Sequence, residues 1–217
     1  MTVLIFGERS DSEACYLPRA NVSWLGESWV KAGDTAHPFA QEAAAGPIEP
    51  GEPAARPASI VNLYEVESIR MDRGDTAMTM QDLGRAGGSR RTGLRRLSLE
   101  PGRCSFPPHC HSSEEELYVV LEGAGEYLVQ DQATPGEWHP VAHPVAAGDV
   151  VSAPAGNGLA HTFRAGPDGL VVLAYGHRHG YDVRWYPRSR KLSFAGLQLI
   201  GRFEPTSYWD GEEEVSS

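Results

Sequence analysis

The chain has 217 residues, of which 41% are hydrophobic, and it carries a formal net charge of −10. This length is enough for one well-buried core with extensions, so a second domain is not required. The acidic balance argues against nucleic-acid binding, because contacts to phosphates need clustered lysine and arginine side chains.

The N-terminal residues lack the features of an export signal. Residues 1–9 hold a short apolar run with neither a basic region before it nor a cleavage site after it. No stretch of the sequence approaches membrane-spanning length. The three cysteines, an odd number, indicate reduced thiols rather than a disulfide framework. We therefore expect a cytoplasmic protein with no membrane partner.

A segment rich in proline, alanine, glycine and glutamate, residues 37–59, is the clearest internal boundary. Such a composition is typical of a linker or of a loop that wraps a surface. The residues before it include Trp24 and Trp29, but their apolar positions follow no decisive period. We therefore interpret the chain as an N-terminal arm with a linker (1–59), a folded domain (60–185) and a C-terminal extension (186–217).

After the linker, short apolar runs recur roughly every eight to twelve residues with turn-forming residues between them, as in an all-β sandwich or barrel. The predicted strands are residues 60–66, 93–99, 117–121, 125–130, 138–143, 149–153, 161–164, 170–175 and 181–185. Breaks are predicted where glycine supplies backbone angles that other residues resist, at residues 100–102, 123–125, 134–136, 146–148, 155–158 and 166–169.

Two histidines that stand two residues apart, His109 and His111, precede one of the predicted strands. In an extended chain such residues face the same side, so both imidazoles can point at one metal ion. A turn at Ser112 and Ser113 could bring Glu116, at the start of the next strand, back towards the same point. Imidazole and carboxylate ligands together suit zinc, iron, manganese, nickel or copper.

The segment around this pair resembles the first motif of the cupin superfamily, in which a glycine, a His-x-His pair, a glutamate and a second glycine recur at nearly fixed spacing. The matching residues are Gly102, His109, His111, Glu116 and Gly123, with one extra residue between Gly102 and His109. Of three successive glutamates, Glu116 alone stands seven residues before Gly123, so the resemblance selects it as the ligand.

A second segment is similar to the second cupin motif, which consists of a glycine, a Pro-x-Gly and a histidine. Its residues are Gly148, Pro154, Gly156 and His161, and its last gap is two residues longer than the common form. The resemblance implies that His161 is the fourth ligand of one divalent transition metal ion per chain. The sequence does not distinguish among iron, manganese, nickel, zinc and copper.

Membership of this superfamily implies an all-β jelly roll, the double-stranded β-helix that forms a cupin barrel. One copy of the ligand set is present, which implies a single-barrel member. Single-barrel cupins are often dimers, and unpaired strand edges favour such pairing, so we expect a homodimer. The tail could add an edge strand to its own sheet or to a partner's, because apolar residues alternate at Leu192, Phe194, Leu197, Leu199 and Ile200.

Strand alternation suggests three residues for a substrate pocket. Tyr118 shares a face with Glu116, and Phe163 shares a face with His161. Arg95 shares a face with the leucines that follow it and could project inward as an anion anchor. The alternative interpretation is core filling for the two aromatic residues and solvent exposure for the arginine.

A six-coordinate metal bound by three histidines and one glutamate keeps two positions open, enough for a bidentate substrate or for substrate and dioxygen. Cupins with similar ligand sets include dioxygenases, oxalate decarboxylases and oxidases, and sugar-phosphate isomerases, and the fold does not choose among them. Our first hypothesis is a metal-dependent oxidoreductase of dioxygenase type that acts on a small organic substrate. The alternatives are a non-catalytic cupin that binds a small molecule, and a cupin isomerase or decarboxylase.

Overall fold

A computed structural model describes residues 3–7, 14–19, 22–25, 28–31, 38–131, 137–204 and 206–212. The chain forms two compact units, Met1–Pro57 and Ala58–Ser217. In the first unit, strands β1 (Ala14–Leu17), β2 (Val22–Leu25) and β3 (Ser28–Lys31) form an antiparallel sheet, and helix α1 (Pro38–Ala44) follows. No helix within the described ranges is long and apolar enough to cross a membrane.

The first unit contains more regular structure than the sequence indicated. Trp24 and Trp29 occupy facing positions on β2 and β3, although their side chains lie outside the described part of the chain. The segment interpreted as a linker begins with helix α1, and His37 lies outside the described residues. Strands of four residues give too little periodic signal to be recognised from sequence.

The second unit covers all the residue ranges that the sequence predicts as strands. In chain order they are β4 (Ile69–Arg73), β5 (Thr76–Asp82), β6 (Thr92–Leu99), β7 (Cys110–His111), β8 (Glu116–Asp131), β9 (Val141–Ala146), β10 (Val150–Ala153), β11 (Leu159–His177), β12 (Val183–Tyr186), β13 (Lys191–Phe194) and β14 (Leu199–Arg202). Helix α2 (Leu83–Ala86) and a single 3-10 turn (Pro187–Ser189) interrupt them.

These strands form two antiparallel sheets. One has the order β10-β8-β11-β6-β5-β4, with β9 also paired to β8, and the other has the order β14-β13-β12-β7. The arrangement is the all-β jelly roll predicted from the sequence. Its core is apolar and includes Met78, Leu97, Val120, Phe163 and Val172, all nearly inaccessible to solvent.

The prediction of a strand at residues 60–66 is wrong. These residues form turns, in which the Asn62 side chain accepts a hydrogen bond from the Tyr64 N–H at 3.0 Å. Such a local bond offers the backbone an alternative to a sheet ladder. Ile60 and Tyr64 are also largely exposed, so their apolar character does not report a buried face.

Strands β4 and β5 were missed, and the strand predicted at residues 138–143 is displaced to Val141–Ala146. In β4 charged residues alternate with isoleucine and methionine, and in β5 threonines interrupt alanine and methionine, so neither strand shows a clear apolar run. The break predicted at residues 134–136 lies outside the described residues. The strand predicted at residues 93–99 corresponds to β6.

The breaks predicted at residues 123–125 and 166–169 are not chain reversals but a bulge between two long strands. β8 and β11 pair along most of their length, with register shifts between Ala165 and Leu170 and between Val171 and Val172. Glycines on both strands allow the backbones to approach here. A Cβ at Gly125 would lie 2.3 Å from the Arg164 carbonyl oxygen, and one at Gly123 would lie 2.3 Å from that of Gly169.

The C-terminal strands pair within their own chain. β13 pairs with both β12 and β14, so Leu192 and Phe194 belong to the smaller sheet. Leu197, Leu199 and Ile200 remain more than half exposed. The homodimer stays a prediction.

We predict that alanine at Gly123 destabilises the fold more than alanine at Gly148. Both glycines have positive φ, +78° and +98°, but nothing lies within 4 Å of a Cβ at Gly148. The strained φ should cost about 1–2 kcal/mol at either position. The clash with the Gly169 carbonyl should add roughly 1–3 kcal/mol for Gly123→Ala alone. Urea unfolding measures both values, and equal losses would contradict the close approach of β8 and β11.

Candidate metal centre

The His-x-His pair lies between the two sheets. His109 forms a bridge with His161 of β11, in which the His161 N–H donates to the His109 carbonyl at 2.9 Å. Cys110 and His111, which form β7, pair with Trp185 and Arg184 of β12. The backbone of each sheet therefore holds one of the two histidines.

Three of the four side chains that the sequence selected converge, and the fourth, His111, lies next to them through its contact with Glu116. Glu116 begins β8, and its Oε2 lies 3.2 Å from His161 Nε2 and 3.4 Å from His111 Nε2. His109, Glu116 and His161 each present a ligand atom within 4.8 Å of the others. The rings of His109 and His111 lie 5.0 Å apart, centroid to centroid. All three histidines are buried.

Two of the histidines present unused ring nitrogens to this point. His109 Nδ1 lies 2.9 Å from the Pro107 carbonyl, which can only accept, so Nδ1 carries the proton and Nε2 keeps its lone pair. His111 Nε2 is buried with Glu116 Oε2 at 3.4 Å, but no well-formed hydrogen bond joins them. A buried nitrogen whose hydrogen bonding is incomplete is costly unless something binds it. The residues present therefore fit a bound metal ion.

Asp182, which the sequence did not indicate, orients His111 from behind. Its Oδ2 accepts a hydrogen bond from His111 Nδ1 at 2.8 Å. Its Oδ1 accepts from the N–H groups of Ser113 at 3.1 Å and Glu114 at 3.2 Å. His111, Glu114 and Asp182 form a second group close enough to hold a metal, but the Asp182 oxygens are already used by these donors. Asp182 is therefore assigned to fixing the His111 ring rather than to binding metal directly.

The charges of the site follow from burial and from these contacts. Burial, and then the charge of His161, lower the pKa of His109 to about 3, so its ring is neutral. Burial also lowers the pKa of His111, but Asp182 and Glu116 outweigh it and raise this pKa to about 9. Burial raises the pKa of Glu116, but the nearby His111 and His161 hold it well below its usual value. Metal binding at neutral pH therefore requires His111 to lose a proton.

A cavity of about 390 Å³ opens beside the ligand atoms. Glu114 lines it without belonging to the first ligand group, and burial raises the pKa of Glu114 to about 7. The Tyr186 ring stacks on His109 with centroids 5.5 Å apart. Basic side chains complete much of the remaining wall: Arg85, Arg95, Arg178, His179 and Arg184.

Of the three residues suggested for a substrate pocket, Arg95 lines this cavity, whereas Tyr118 and Phe163 are not among its described lining residues. Phe163 packs in the core, 5.0 Å from the Tyr118 ring. Tyr118 lies behind the ligands and donates a hydrogen bond to Glu116 Oε2 at 2.6 Å. Strand alternation indicates which face of a strand a side chain occupies, but not how deep in the barrel it lies.

Comparison with known families agrees with this geometry. Residues 95–174 match the family described as Cupin domain. The chain contains a cupin domain. All four ligand candidates, His109, His111, Glu116 and His161, lie inside the matched segment. No curated protein sequence matches the chain.

Two solved structures resemble this chain over most of its length. One is a proposed sugar phosphate isomerase from Acidithiobacillus ferrooxidans, with 24% identity and a TM-score of 0.56, covering 74% of this chain and 97% of that one. The other is a cupin-superfamily sugar phosphate isomerase from Silicibacter pomeroyi, with 24% identity and a TM-score of 0.55, covering 69% of this chain and 97% of that one. At this identity the likeness shows the fold.

We predict that His111→Ala loses its metal while the barrel remains folded, because the core is apolar and does not include this side chain. The exposed His143 of β9 supplies the control variant, His143→Ala, which should keep full metal content. Plasma mass spectrometry measures the metal, and circular dichroism checks folding. Full occupancy in His111→Ala would overturn the ligand assignment.

Asp182→Asn should weaken metal binding about 10- to 100-fold. The oxygen of the new asparagine would still accept hydrogen bonds from the Ser113 and Glu114 N–H groups, so its NH₂ group would face His111 Nδ1 as a donor. The imidazole would then carry its proton on Nε2, where the metal must bind. Competition with a chelating dye measures the affinity. Asp72→Asn, at an exposed ion pair, is the control, and equal affinities in both variants would contradict this role.

Proposed function

We propose that the protein is a metal-dependent cupin enzyme that binds a small substrate in the cavity beside the ligand set. The observation that carries this proposal is the convergence of ligand atoms of His109, Glu116 and His161 within 4.8 Å of one another, beside a cavity of about 390 Å³. His109, His111, Glu116 and His161 would hold a divalent transition metal. When bound, the metal would polarise an oxygen atom of the substrate.

We further propose that the reaction is a proton transfer of the isomerase type. Glu114 supports this assignment because its carboxylate lines the cavity but lies outside the group formed by His109, Glu116 and His161. It can take a proton from the carbon next to a carbonyl group whose oxygen is polarised and return it to the former carbonyl carbon, while the proton of the neighbouring hydroxyl group passes to the carbonyl oxygen. The two structures described above as sugar phosphate isomerases agree with this class.

The narrower prediction of a dioxygenase receives no support from these comparisons. A dioxygenase would consume oxygen with its substrate, whereas an isomerase would exchange a carbon-bound hydrogen with solvent. A cupin that only binds a ligand would do neither. These three outcomes make the reaction class directly measurable.

We expect Glu114→Gln to keep its metal and lose proton transfer by about 10²- to 10⁴-fold, because the amide cannot accept the proton. The protein is incubated in deuterium oxide with a panel of aldoses, ketoses and their phosphates, and proton NMR follows loss of the C–H signal. An oxygen electrode records consumption in the same mixtures. Glu115→Gln is a matched control, since Glu115 is the neighbouring residue and is exposed.

Exchange at the native rate in Glu114→Gln would remove Glu114 from the mechanism. Oxygen uptake without exchange would replace the isomerase proposal with the dioxygenase one. Tight ligand binding with neither signal would favour a non-catalytic cupin.

A further inference from the structure

The cavity beside the ligand set has an unusually basic wall for an acidic protein. The chain carries a net charge of −10, yet four arginines line this one cavity. Their guanidinium groups differ in what they contact. The unpaired ones are candidates for binding an anion, because a buried guanidinium without an acceptor is unfavourable.

Two of the four arginines are already accounted for. Arg178 donates to both oxygens of Asp82, at 2.8 and 2.9 Å. Arg85 is 79% exposed at the rim and lies 3.9 Å from the same aspartate. Arg178 Nε is also buried without a partner, but the charge of this guanidinium is already balanced by the two hydrogen bonds to Asp82, and that of Arg85 is largely exposed to solvent.

The other two arginines, Arg95 and Arg184, retain donors. Arg95 Nε is buried without a hydrogen-bond partner, and the positive charge of Arg95 acts on the Glu114 carboxyl group, which lines the same cavity. Arg184 Nε is also buried without a hydrogen-bond partner, with the Asp182 carboxylate at 3.8 Å. Arg95 comes from β6 of the larger sheet and Arg184 from β12 of the smaller one. The two sheets thus each contribute one unsatisfied guanidinium to the cavity.

We propose that Arg95 and Arg184 bind the phosphate group of a phosphorylated substrate in this cavity. Guanidinium groups present planar pairs of donors that match phosphate oxygens. Two positive charges also match a doubly charged phosphate better than they match a singly charged carboxylate ligand. That the rest of the substrate reaches the metal centre rests on the proposed function. The phosphate site itself does not.

A second cavity, of about 530 Å³, shows that arginines along a wall do not by themselves mark such a site. It is lined by Arg103, Arg164 and Arg188. Each has a partner: Arg103 donates to the Gly74 carbonyl at 2.8 Å, Arg164 pairs with Glu126, and Arg188 pairs with Asp75. Their charges are already balanced, so this cavity lacks the unused donors of the first.

The test is calorimetric titration of the protein with inorganic phosphate, before and after removal of its metal by chelation. Phosphate should bind both forms, because the arginines supply donors without the metal. Arg95→Gln and Arg184→Gln should each raise the phosphate Kd about tenfold or more, the usual size of a charged hydrogen bond. Arg164→Gln removes the same charge at the second cavity and should leave the Kd within about twofold. Acetate should compete only weakly.

The proposal is overturned if phosphate binds neither form, if both glutamine variants bind it as the native protein does, or if acetate displaces it at equal concentration. Melting curves confirm that each variant is folded. Should Arg95→Gln not fold, Arg95→Lys keeps the charge without the planar pair of donors, and an unchanged Kd there and in Arg184→Gln overturns the site. Phosphate binding through the arginines in a protein that takes up no metal would remove the proposed function but leave this site standing.

Discussion

The buried carboxylate of Asp182 is the contact on which the geometry of the centre depends. One oxygen holds the His111 ring, and the other accepts from the backbone of Ser113 and Glu114. These bonds fix the turn between the His-x-His pair and β8, and so they fix where Glu116 begins. Burial raises the pKa of Asp182, but the bond with His111 outweighs it and lowers this pKa to about 2, so the carboxylate stays charged. Loss of this one group would loosen a ligand and a turn together.

The two sheets divide the tasks of the site. The long strands β8 and β11 supply Glu116 and His161, with an apolar core beneath them. In the smaller sheet, β12 supplies the Tyr186 ring and Arg184, and Asp182 directly precedes this strand. The cavity lies where residues of both sheets meet, which places unused basic donors close to the ligand atoms. Such a cavity can bind one end of a small anionic molecule at the ligand atoms and the other end at the basic side chains.

Sequence patterns were reliable where the chemistry is local. Residues two apart on a strand face one way, which predicted that His109 and His111 converge. The motif glycines Gly102, Gly123 and Gly148 all have positive φ, which explains why glycine is needed at those positions. The apolar pattern wrongly predicted a strand at residues 60–66. These residues form turns, and the Asn62 side chain stabilises them by accepting a hydrogen bond from the Tyr64 N–H.

The sequence by itself determined the all-β class and the choice of the four ligand candidates, because strand periodicity and motif spacing are local features of the chain. Tertiary structure alone decided that Asp182, 71 residues beyond His111, orients that ring. It likewise decided that Glu114 lines the cavity, that Arg178 donates hydrogen bonds to Asp82 and that Arg184 Nε has no hydrogen-bond partner. A side chain's partner depends on which strands lie side by side, and the pairing of distant strands leaves no periodic trace in either one.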